Sequence, residues 1–187
     1  MKKVILTLES AAPLTQSRKH NTEFEDGEKH DAYEKRTWRN KAHQDEGGNI
    51  YIPGISLKFA LDAAAKGKGL KIKGKGQRTY TKLFVSGIIV EHIIPTGKTV
   101  DDLKQQWFLA NADGVRGSGK RVDRCVPRLD SWAGQVTVYV ANDEIENNIF
   151  EDHIDYAGKF VGMGQYRPEN GGCNGRFDVI NAEWSKA

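Results

Sequence analysis

The run Gly162-Met163-Gly164-Gln165-Tyr166-Arg167-Pro168-Glu169-Asn170-Gly171-Gly172-Cys173-Asn174-Gly175-Arg176 decides how the rest of the chain is read. Five of its fifteen residues are glycine and one is proline, so it cannot continue a helix or a strand. Before it, Asp143 with Glu146 three residues on reads as a capping box. Ile145, Ile149, Ile154, Ala157, Phe160 and Val161 then recur at helical spacing. Gly162 can end that helix, and Phe177 to Ile180 follow as a short strand. Glycine permits positive φ and close backbone approach, and N–H groups exposed that way can hold an anion. Arg167 and Arg176 flank the loop and suit a phosphate. A plain flexible connection is the alternative reading of the same residues.

A second stretch, Tyr51-Ile52-Pro53-Gly54-Ile55-Ser56-Leu57-Lys58, marks the start of another helix. Ser56 is a good N-cap for a helix running to about Lys66, with Leu57, Ala60, Leu61 and Ala64 inward and Gly67 as its stop. A helix start behind Pro53-Gly54, with Lys58 in its first turn, is a ready anion site.

The two stretches together resemble the RAMP superfamily, the RRM-like proteins that include backbone subunits of CRISPR effector complexes. The first matches the family's C-terminal helix, glycine-rich loop and strand. The second is similar to its Ile-Pro-Gly-Ser-Ser-Leu-Lys-Gly helix start, with Ile55 in place of a serine and Phe59 in place of a glycine. The loop departs from the family's usual Gly-Tyr-Gly, and the chain is shorter than typical backbone subunits.

Around these two stretches the chain reads as follows. Val4 to Leu8 is a first strand. Residues 10 to 49 form a long charged insertion, irregular in pattern, with an acidic half (Glu23 to Asp31) and a basic half (Lys35 to Lys41). Trp38 sits among four cations there, Arg36 and Arg39 included, as a base-stacking aromatic would; the alternative is a core residue. Residues 66 to 82 carry seven cations and no acid. Like charges at that density repel, and a polyanion would relieve them; Lys73, Lys75 and Arg78 are the central candidates. Leu83 to Ile94 reads as a strand with a bulge at Gly87. Residues 99 to 134 are a second insertion. Trp107 to Ala112 and Val122 to Leu129 can pair as a hairpin with its tip at 113 to 121; a helix over 100 to 110 capped by Thr99 competes. Gln135 to Val140 is the next strand.

Stripped of its insertions, the order is βαββαβ, a single α+β domain of the ferredoxin-like or RRM-like kind over residues 1–187. Net charge is only +3, so the placement of charge says more than its sum. Two distant cysteines, Cys125 and Cys173, give neither a zinc spacing nor a disulfide framework. No signal peptide or membrane span is read, and no cofactor or metal; a cytoplasmic protein is expected.

Gly114 to Lys120 fits seven positions of a P-loop, but Arg121 stands where magnesium coordination needs Ser or Thr, so nucleotide hydrolysis is not expected. A basic hairpin tip gripping a strand, through Arg116, Lys120, Arg121 and Arg124, is the better reading. Binding of single-stranded nucleic acid without cleavage is therefore expected. The candidate contacts, besides those named, are Arg18 and Lys19 in the first insertion. The resemblance implies guide RNA over the Ser56–Lys58 helix start and the glycine-rich loop. It also implies adjacent copies of the chain along one strand, a thumb-like hairpin, and other effector-complex subunits as partners. Two alternatives stay open. One is a phage or mobile-element protein that coats or anneals single-stranded DNA. The other is an endoribonuclease using His20 or His43 as general base, or Asp26, Asp31 or Asp45.

Overall fold

Strand β1 (Lys2–Ser10) is the central element of the computed structural model, which describes residues 1–112 and 119–187. Its alternate residues Val4, Leu6 and Leu8 are fully buried, while the residues between them are only partly covered. On one side β1 pairs antiparallel with β8 (Ala133–Val140), and on the other with β9 (Phe177–Lys186). β4 (Ile88–Val90) completes the sheet, whose order is β4-β8-β1-β9. Two helices cover one face, α2 (Gly54–Lys68) and α4 (Asn147–Tyr156). Leu57 and Leu61 of α2 and Phe150 and Ile154 of α4 meet Val136, Val138 and Val140 in the core. Taken in chain order as β1, α2, β4, β8, α4, β9, this is the βαββαβ plan with insertions.

The remaining strands form two smaller sheets. β2 (Leu14–Thr15), β7 (Arg121–Leu129) and β6 (Lys104–Asn111) form one small sheet; β3 (Asn49–Pro53) and β5 (Ile93–Thr99) form another. β6 and β7 pair in register from Lys104 opposite Arg128 to Asn111 opposite Arg121, so the expected hairpin exists. The competing helix shrinks to one 3-10 turn, Val100–Asp102, capped by Thr99. The tip with Arg116 and most of the P-loop-like run lies outside the described residues.

Five local expectations need correction. Residues 10 to 49 are not irregular throughout: they hold β2, α1 (His30–Thr37) and a 3-10 turn at Trp38–Lys41. α2 begins at Gly54, two residues before Ser56, because Pro53 takes the flanking extended position; it runs past Gly67 to a left-handed cap at Gly69. Leu83 does not open a strand. Residues Thr81–Gly87 are helix α3, with Leu83 and Phe84 buried and Thr81 Oγ1 donating to Ala65 O of α2 (3.0 Å). α4 starts at Asn147 rather than Asp143, since residues 143–146 form a turn in which the Asn142 side chain accepts the Glu144 N–H (2.9 Å). β9 runs on to Lys186, held by the full length of β1.

One buried ionic knot fastens the first insertion to the hairpin. Glu34 of α1 is fully buried, ion-paired with Lys41 and with Arg124 Nη1 (3.1 Å), and accepts the Cys125 N–H (2.8 Å). Lys41 Nζ also donates to Cys125 O (2.8 Å). Burial alone would raise the Glu34 carboxyl; the hydrogen bonds from Lys41, Cys125 and Arg124 outweigh it and hold the group below the usual range.

Candidate nucleic-acid interface

The glycine-rich loop and the start of α2, more than a hundred residues apart in sequence, are brought together across a groove of about 360 Å³. One wall is Pro53, Ser56, Phe59 and Ala60 of the α2 start; the opposite wall is the loop from Gly162 to Arg167. The floor and end are Leu14, Gln16, Ser17 and His43 of the first insertion.

Close backbone contact makes the walls. Gly54 sits against β5's approach: its N–H donates to His92 O (2.7 Å), and a Cβ there would stand 1.6 Å from Glu91 O. Gly175 has φ +76, and a Cβ would stand 1.8 Å from Met163 O, so the loop can fold back on itself only with glycine there. Around it run Met163 N to Gly175 O (2.9 Å), Gly175 N to Pro13 O (2.7 Å) and Gln165 N to Thr15 O (3.0 Å). Thr15 Oγ1 returns a bond to Gln165 O (2.8 Å). The loop is thus an ordered wall laced to β2, and the plain flexible connection does not describe it.

Gln16 ties the other side. It is buried, donates from Nε2 to Tyr51 O (2.8 Å) and accepts the His43 N–H on Oε1 (2.8 Å). The His43 ring is half-buried, faces Tyr51 (5.7 Å between centroids) and has no hydrogen-bond partner among the described residues. Burial first, and then the nearby Arg18 charge, push its pKa down, so at neutral pH the ring is uncharged, with one donor and one acceptor.

The sequence-based candidates fall into four groups. Ser56 and Arg167 belong to the groove, and Arg18 stands beside it. Ser56 and Arg167 line it, and Arg18, next to the lining residue Ser17, is exposed and unpaired among the described residues, as is Lys19. Arg167 is tethered, to Glu169 (2.9 Å) and to Gly164 O (3.3 Å). Arg176 braces the loop from outside by donating to Lys159 O (3.1 Å) and Cys173 O (3.2 Å).

The second group is committed elsewhere. Trp38 is 4% exposed and packed in the core with the Arg39 guanidinium over its ring at 4.3 Å, so the base-stacking reading fails and the core reading holds. Arg36 forks onto Glu28 (2.9 and 2.7 Å), which holds that carboxyl at about 2. Lys58 pairs with Asp62 and donates to Phe84 O and Val85 O (3.1 Å each), stapling α2 to α3 instead of facing the groove. Arg124 belongs to the Glu34 knot.

Lys73, Lys75 and Arg78 form the third group, exposed on a lobe at the far end of α2. The lobe is pinned by Ile72 N to Arg78 O (2.8 Å) and Tyr80 N to Leu70 O (3.1 Å), with Ile72 itself buried. α2 has 15 residues and is about 22 Å long, so lobe and groove are not one site. The fourth group is the hairpin: Lys120 is exposed, and Arg121 Nη2 donates to Leu109 O (3.1 Å).

Of the residues weighed for catalysis, only His43 lines the groove. The His20 ring lies against Tyr33, and Asp45 is bound up in its own turn with Gly47 and Asn49. Among the described residues no group of His, Cys, Asp and Glu could hold a metal, and no helix is long and apolar enough to cross a membrane. Gln16, Phe59 and Gln165 were not anticipated. Phe59 had a legible signal: Ile55 and Phe59 are apolar yet lie off the Leu57–Ala60–Leu61–Ala64 stripe.

No family model matches the sequence, and no curated protein sequence matches it. Among solved structures, a chain from the Type III-B Cmr-beta bound to cognate target RNA shares this fold, with a TM-score of 0.53 at 13% identity. The match covers 99% of the present chain and 61% of that chain, so this protein spans about three-fifths of its neighbour's length. An α+β, RRM-like domain with insertions is the class that fold and comparison define.

Proposed function

We propose that this protein binds single-stranded RNA without cleaving it, as a subunit of a CRISPR-type ribonucleoprotein complex in which copies of the chain line up along one guide strand. The observation that carries this is the groove itself: the two stretches that resemble the RAMP family are its opposite walls. The α2 start has no side-chain cap, so the N–H groups of its first turn beyond Gly54 are open to an anion, and Arg18 adds a free cation. The likeness to a chain of the Type III-B Cmr-beta bound to cognate target RNA supports the same reading. The β6–β7 hairpin is the thumb in this proposal, and its basic end reaches the strand held by the next copy.

The test is mass measurement on labelled RNA and DNA of one sequence and increasing length. The expected result is tighter binding to RNA, whose 2′-hydroxyls DNA lacks, with several copies per long strand and intact RNA after incubation. Equal binding to DNA would favour a DNA-coating protein, and shortened RNA would favour a nuclease acting through His43. Absence of binding to either strand would overturn the proposal.

A further inference from the structure

Phe59 is 64% exposed and Ile55, one helical turn before it, is 53% exposed, although both lie on a helix whose other apolar residues are buried or partly buried. Such a ring in water is unfavourable unless something covers it. Phe59 lines the groove, whose walls mix apolar side chains (Leu14, Ile52, Pro53, Ala60, Val161 and Met163) with polar ones. The polar side chains include the Gln165 amide, the Ser17 and Ser56 hydroxyls, and the ring nitrogens of His43. None of these side-chain groups has a hydrogen-bond partner among the described residues. A cation, Arg18, waits beside them.

We propose, building on the RNA-binding reading above, that the groove takes one unstacked nucleobase of the strand, with Phe59 against its face and Gln165 and His43 at its edge. A flat apolar ring beside neutral donors and acceptors fits the mixed surface of a base, which is apolar on its faces and polar around its rim. Phosphate would prefer charge, and the groove's Arg167 is already answered by Glu169. The volume of about 360 Å³ sits at the lower end of small-molecule sites, roughly 300–1,000 Å³, which suits one nucleotide and not a peptide helix. His43 serves here as an uncharged reader: burial and the Arg18 charge keep its ring neutral, so it can both donate and accept.

The experiment compares wild type with Phe59→Ala and Phe59→Tyr on two ligands, oligouridylate and an abasic ribose-phosphate strand of equal length. Phe59→Ala should weaken binding to oligouridylate about tenfold, with an unchanged melting temperature because the side chain is exposed. Phe59→Tyr should bind as wild type. On the abasic strand wild type should itself be weakened about tenfold, and Phe59→Ala should add little. Gln165→Ala should alter the ratio of affinities for oligouridylate and oligocytidylate. If wild type binds oligouridylate and Phe59→Ala binds it equally well, the base pocket is wrong while RNA binding stands. If wild type binds no RNA, both fail. If Phe59→Ala changes only the oligomeric state of the free protein, the exposed face is a protein interface and the base pocket is overturned.

Discussion

At the N-terminal end of α2 the groove offers few free charges and many hydrogen-bonding groups, held by bonds such as Gly175 N to Pro13 O and Gln16 Nε2 to Tyr51 O. At its C-terminal end, about 22 Å away, the lobe over residues 69 to 80 offers Lys71, Lys73, Lys75 and Arg78 on a short turn anchored by the buried Ile72 and Tyr80. The groove can orient a ligand because its walls cannot move independently. The lobe can only attract, since long exposed cations keep their rotamer freedom. The difference separates the two terms of nucleic-acid binding: position and contact at one end, salt-dependent attraction at the other.

The largest effect should come from the knot that holds the groove's first-insertion wall. Glu34→Ala leaves Lys41 buried without its partner and should cost about 3–5 kcal/mol in unfolding free energy. The pH dependence has a fixed sign. The Glu34 carboxyl titrates below its ordinary 4.5 in the folded state, so its stabilisation is present above pH 4.5 and is lost as pH falls through the folded value. Denaturant unfolding at falling pH should show that loss in wild type, and Glu34→Gln should flatten it. A variant as stable as wild type would mean that the wall stands without the knot.

A smaller effect compares like with like at the two ends. Gly175→Ala meets Met163 O at positive φ and should cost about 3 kcal/mol. Gly76→Ala, at φ +61 on the lobe with nothing within 4 Å, should cost about 1 kcal/mol. Equal losses in melting experiments would break the contrast between a built wall and an open turn.

The smallest effect is electrostatic. Replacing Lys73, Lys75 and Arg78 together with glutamine should leave stability unchanged and reduce the salt slope of RNA binding by roughly 0.7 per lost contact, about 2 for all three. Base-dependent binding through the groove should survive. An unchanged slope would reduce the lobe to a solvated turn, and loss of base discrimination would mean that the two ends act as one site.

Much of the fold was legible because it rests on periodicity. The alternation of Val4, Leu6 and Leu8, the Leu57–Ala60–Leu61–Ala64 stripe and the helix before the glycine-rich loop all follow from burying one face, a local pattern. Thr81–Gly87 was misread because a short run of Leu83, Phe84 and Val85 fits either a strand or a buried helix; packing on α2 decides it.

The amino-acid sequence by itself determined where the groove's two walls begin, because glycine and proline mark positions where the backbone must come close or turn. It also placed every charge along the chain. It could not say which charges were free. Arg36, Lys58 and Arg124 are spent on Glu28, Asp62 and Glu34, and Trp38 is spent on the core, because those partners are supplied by folding. Nor could it say that His43, Gln16 and Phe59 meet at one groove. That meeting depends on how the first insertion docks onto β7 and how the loop folds back onto β2, and such long-range contacts leave no local period to read.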